Sequence, residues 1–132
     1  MVAYLFRVPV FPVICQLGEW LVAARSHKEL ESQIEDTDAL PEKMYSLVDA
    51  AGENWGLVTE HMVICPLIRR RLTKKDIIAL FNTSDTAKKA GMEHPVKSLS
   101  SKRVERVAAE VAETIRTANR RIREMEQGPA EE

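Results

Sequence analysis

Residues 44–68 read MYSLVDAAGENWGLVTEHMVICPLI, and this stretch decides the fold. Tyr45, Val48, Trp55, Leu57 and Val58 suit strands. Between them, Asp49-Ala50-Ala51-Gly52 has aspartate first and glycine fourth, as a type I turn favours. The spacing predicts a hairpin, Met44–Asp49 against Asn54–Thr59. His61–Ile68 extends it with a third strand that is apolar on both faces, the mark of a strand inside a sheet.

Upstream, residues 2–25 are strand material as well. Val8, Val10, Val13 and Ile14 are β-branched, while Pro9 and Pro12 oppose a helix. Leu17-Gly18 turns the chain into a second strand, Glu19–Ala24. Ser26-His27-Lys28-Glu29 then has the form of a capping box, opening a short helix to about Glu35 with Leu30 and Ile34 as its apolar stripe.

Downstream the period changes to that of helices. Thr73-Lys74-Lys75-Asp76 is another capping box, and Ile77, Leu80 and Phe81 form the stripe of a helix through Asn82. Asp85–Ala90 makes one or two turns closed by Gly91. Ser100 or Ser101 caps a long helix to Gln127, which Gly128-Pro129 ends, leaving residues 128–132 as a frayed tail. Strands first and helices last predict one α+β domain over residues 1–127, strand-rich over 1–70 and helical over 71–127. Its sheet should be small and mainly antiparallel, with about four or five strands. The helices should lie on one face or end, the last of them long.

The chain has 132 residues, 45% apolar and 30% charged, which suits one globular domain with a core of its own. The net charge of −1 hides a separation. Residues 1–68 carry four basic against ten acidic side chains, a net of −6; residues 69–132 carry fifteen against ten, a net of +5. Such asymmetry suits a protein partner, a symmetric dimer or a phosphate backbone. The longest charge-free stretch near the start, Val8–Gly18, is too short to span a bilayer, so no membrane partner is expected and the setting should be cytoplasmic. Cys15 and Cys65 lie in matching Val-Ile-Cys runs and read as buried small hydrophobes.

In the last helix, Val104, Ala108, Val111, Ile115, Ala118, Ile122 and Met125 recur at alternating steps of four and three, a heptad seam. A helix of about 27 residues is about 40 Å long, whereas a domain of this size has a radius of gyration of about 14 Å. The distal seam should therefore leave the domain. On this reading Val111, Ile115, Ala118, Ile122 and Met125 meet a second chain, a copy of the protein or another protein.

Residues 73–92, TKKDIIALFNTSDTAKKAGM, resemble the opening of a helix-turn-helix unit. The resemblance implies a small DNA-binding regulator in which Lys74, Lys75, Lys88 and Lys89 contact phosphates. Support for catalysis is thin. His27, His61 and His94 are scattered, and His61-x-x-x-Cys65 on a strand puts its two groups about 13 Å apart, too far to share an ion. No glycine-rich phosphate loop is present. The acidic run Glu29, Glu31, Glu35, Asp36 and Asp38 suits a basic partner better than acid–base chemistry. Neither catalytic residues, a metal nor a cofactor is expected. The function class is a non-catalytic protein-interaction module, homodimeric; the alternatives are the DNA-binding regulator and a small enzyme with a cleft between sheet and helices.

Overall fold

The computed structural model describes residues 1–37 and 39–127, so the expected tail and Asp38 lie outside the described residues. Six strands form one sheet: β1 (Ala3–Tyr4), β2 (Val13–Leu17), β3 (Trp20–Ala24), β4 (Met44–Val48), β5 (Asn54–Val58) and β6 (Val63–Pro66), in the order β1-β6-β5-β4-β2-β3. Four α-helices accompany it: α1 (His27–Glu35), α2 (Lys74–Asn82), α3 (Asp85–Ala90) and α4 (Val104–Gln127). The fold is α+β with a long final helix, as the sequence predicts. Two features of the sheet differ. It has six strands, and it is mixed, because β1 runs parallel to β6 while every other neighbouring pair is antiparallel. β1 escapes a sequence reading because two residues carry no period and its partner lies sixty positions away, Ala3 opposite Val63.

Local chemistry sets the helix starts. The Ser26 hydroxyl accepts from the Glu29 N–H, and Thr73 forms the full reciprocal box with Asp76. The Ser84 hydroxyl caps α3, and Gly91, in the left-handed region, ends it. The expected cap of α4 is not made. Ser101 belongs to a short 3-10 turn, Leu99–Ser101, with its hydroxyl donating to the Ser98 carbonyl, and α4 begins only at Val104.

The helices cover both faces of the sheet, not one. Ile14, Leu21, Ala23 and Val48 meet α2, α3 and α4 on one face. Alternate residues (Cys15, Val22, Leu47, Trp55, Leu57 and Ile64) meet Leu30 and Ile34 of α1 on the other. The strand period of two assigns these faces; only the three-dimensional path assigns α1 to its side. At β3, an outer strand, the Leu21 N–H donates to Thr86 Oγ1 at 3.1 Å and the Leu21 carbonyl accepts from Asn119 Nδ2 at 2.9 Å.

The β4–β5 turn is fixed through Gly52. Its φ is +82°, and its carbonyl accepts from the Leu72 N–H at 2.8 Å. A Cβ there would lie 2.5 Å from the Leu72 carbonyl oxygen, against backbone that has no way to yield. Gly52→Ala is expected to cost about 3 kcal/mol, from the positive φ together with this clash. A shifted urea midpoint at unchanged slope is the measurement; an unshifted midpoint would show that the turn is not held as described.

Candidate functional site

The helical layer covers only part of its face of the sheet. α2–α4 sit over β2, β3 and the end of β4. The rest of that face is formed by Ala3, Met44, Ser46, Gly56, Val58, Val63, Cys65 and Leu67, placed together by the register Met44–Val58, Ser46–Gly56, Gly56–Cys65, Val58–Val63 and Val63–Ala3. None of these eight is charged. Met44 and Leu67 lean across Gly56, where a Cβ would meet the Met44 sulfur at 2.8 Å and Leu67 Cδ2 at 3.3 Å. Met44 remains 40% exposed, and Val58, Val63, Cys65 and Leu67 are half-buried. An uncharged sheet face left to water is unusual, and contiguous apolar surface of this kind marks interaction sites.

The two cysteines therefore differ, which corrects the expectation that both are buried. Cys15 is enclosed, and burial pushes its thiol up to about 12. Cys65 faces the open half of the sheet and is only half-buried. The open face was legible in outline. The outward positions Met44, Ser46, Gly56 and Val58 lack the charge that a solvent-facing strand side usually carries.

The α4 seam is placed elsewhere than expected. Val111, Ile115, Ala118 and Ile122 are buried in the chain's own core, with only Met125 of the five exposed. Val107 and Ala112 are buried beside them, so the apolar stripe is wider than a two-position seam. A wide stripe is the signature of a helix packed on its own domain. The 24-residue helix reaches no free space before Ile122, because α3 and β3 run beneath it. Val111, Ile115, Ala118 and Ile122 are thus covered from within, and Met125 is left exposed.

Of the four lysines, Lys74 donates to the Leu99 carbonyl at 2.6 Å. Lys89 lies 4.9 Å from the Trp20 ring centre and 3.4 Å from Glu126. Lys75 and Lys88 are exposed. α3 is six residues long and buries Thr86, Ala87 and Ala90. The structure does not gather the four ammonium groups into one free set.

His27 and His94 bond within the fold, whereas His61 is exposed. Burial, more than nearby charge, pushes His94 below its usual range, and its Nδ1 meets Thr114 Oγ1 at 2.9 Å. His27 lies between Tyr4 and Glu31, with Nδ1 2.6 Å from the Tyr4 hydroxyl and Nε2 3.2 Å from the carboxylate. Tyr4 is raised above its ordinary range by burial and then by Glu31. The Glu31 carboxylate also accepts from the Val2 N–H at 2.7 Å. This relay ties β1 to α1. Among the described residues no group of three or more His, Cys, Asp or Glu side chains is placed to hold a metal ion.

A cleft of about 700 Å³ does lie between sheet and helices, at the β2–β3 turn, the exit of α1 and the distal half of α4. Its charges are mixed: Arg120 and Arg123 face it beside Asp36, Glu113 and Glu126. Arg116 is held at its rim by Glu29 at 2.9 Å. Asn119 Oδ1 is buried there without a hydrogen-bond partner among the described residues. Comparison with family models, curated proteins and solved structures finds no match to this chain.

Proposed function

We propose that this protein acts by binding protein chains through the open half of its sheet, with a second copy of itself as the first partner. The observation that carries the reading is the uncharged face of Met44, Ser46, Gly56, Val58, Val63, Cys65 and Leu67, which no helix among the described residues packs over. Two such faces match without any pairing of charges, and a two-fold dimer buries the same patch twice. Stacked sheets about 10 Å apart would bring these side chains into contact. A cytoplasmic setting fits two free thiols, which reducing conditions preserve. Among the described residues no helix is long and apolar enough to cross a membrane.

Val63→Asp tests the reading, because it places a charge on the face, between Ala3 and Val58, while the isolated fold tolerates it at a half-exposed position. Wild type is expected to sediment as a dimer, with alkylation of Cys65 slowing as protein concentration rises. The variant should sediment as a monomer with its sheet intact by circular dichroism. A wild type that stays monomeric at every concentration, with Cys65 labelled at a constant rate, would overturn the self-association.

A further inference from the structure

At one end of the sheet an apolar tip and a run of arginines emerge together. Phe6 is 89% exposed and Ile68 fully so, with Leu5 and Val8 exposed beside Phe6. The backbone holds the two segments side by side. The Leu5 N–H donates to the Ile64 carbonyl, continuing the parallel β1–β6 pairing, so Phe6 and Ile68 leave the sheet in the same direction. Phe6 itself has φ +72°, a conformation that turns the chain sharply at the tip. Arg69, Arg70 and Arg71 follow Ile68, and all three are exposed. This segment is anchored to the β4–β5 turn, with Asn54 Nδ2 donating to the Arg70 carbonyl at 2.8 Å and the Leu72 N–H to the Gly52 carbonyl.

The charges here do not cancel. Glu53 is engaged by Arg7, which also stacks 5.2 Å from the Trp55 ring centre. Arg70 comes within 3.8 Å of Asp76. Arg69 and Arg71 make no ion pair among the described residues. The result is an exposed aliphatic and aromatic tip rimmed by guanidinium groups. A nucleic acid would reward aromatic stacking, yet only Phe6 here is aromatic. Aliphatic side chains beside arginines match instead the boundary between phosphate headgroups and acyl chains.

We propose that this end of the sheet docks on an anionic lipid surface, Phe6 and Ile68 entering the headgroup boundary and Arg69, Arg70 and Arg71 meeting lipid phosphates. The site adjoins the open sheet face, where Ile68 follows Leu67, and its test reads vesicle binding rather than oligomeric state.

The experiment is co-sedimentation of the full chain with vesicles of phosphatidylcholine alone and of phosphatidylcholine mixed with phosphatidylserine. Binding is expected to the mixed vesicles only, and to weaken as salt is raised. The double variant Phe6→Ser, Ile68→Ser should bind roughly tenfold more weakly, because the inserted apolar groups are gone. The triple variant Arg69→Gln, Arg70→Gln, Arg71→Gln should lose the preference for phosphatidylserine. All five positions are exposed, so circular dichroism should show the variants folded. Equal binding to both vesicle types, or full retention by the double variant, would overturn the proposal. So would a single-stranded oligonucleotide that binds the chain while mixed vesicles do not.

Discussion

Asp49→Ala is expected to lower stability by about 4 kcal/mol, a large part of what a domain of this size has to lose. The Asp49 carboxylate is buried, 2% exposed, and accepts four hydrogen bonds. Oδ1 takes the Ala51 and Glu53 N–H groups at 3.0 and 2.9 Å; Oδ2 takes the Val10 N–H and the Trp55 indole N–H, both at 3.1 Å. One side chain thus joins the β1–β2 loop, the β4–β5 turn and the core of β5. Alanine leaves the indole N–H of the fully buried Trp55 with no acceptor and releases the other three donors. The melting temperature should fall by about 15 °C. Asp49→Asn makes a sharper comparison. Its carbonyl keeps the two turn bonds, but its amide presents donors to the Val10 and Trp55 donors, so the loss should be intermediate. Thermal unfolding followed by Trp55 fluorescence measures both; a melting point within a few degrees of wild type for Asp49→Ala would refute the hub.

The second large effect is expected at the far end of α4. Ile122 is 2% exposed within the core that α2, α3 and α4 share with the sheet. Ile122→Asp puts an unpaired charge there and should cost about 5 kcal/mol, with no change of mass in the fraction that remains folded. Met125, one turn on and 57% exposed, provides the control: Met125→Asp should stay within about 0.5 kcal/mol. Dissociation of an oligomer by Ile122→Asp, with the fold intact, would show instead that this part of the seam is covered by a second chain.

What could be read from the residues was mostly local. Ser26, Thr73 and Gly91 mark helix ends through bonds to their near neighbours, and the structure has those bonds. Asp49 and Gly52 mark a turn for the same reason. What could not be read depends on partners distant in the chain. Asp49 is legible as a turn residue, but its bond from Val10 joins positions 39 apart. The partner of β1 likewise lies beyond any local signal. For α4, the heptad template selected Ile115 and Ile122 correctly as apolar positions but passed over Val107 and Ala112, which widen the stripe toward the sheet. The width of the stripe, rather than the length of the helix, reports that α4 lies on its own domain. The open face needed one more piece of knowledge, which strands the helices cover, and no residue on the face itself records that.

The two outer strands of the sheet bear on what the protein does when crowded. On one side, the outward N–H and C=O of Leu21 are already spent on Thr86 and Asn119. On the other, β1 offers only two residues. Neither border supplies a row of free peptide groups on which a further strand could template itself. Among the described residues, edge-to-edge growth of the sheet is therefore disfavoured at both borders. Concentrated solutions are expected to hold small, finite particles rather than fibrils.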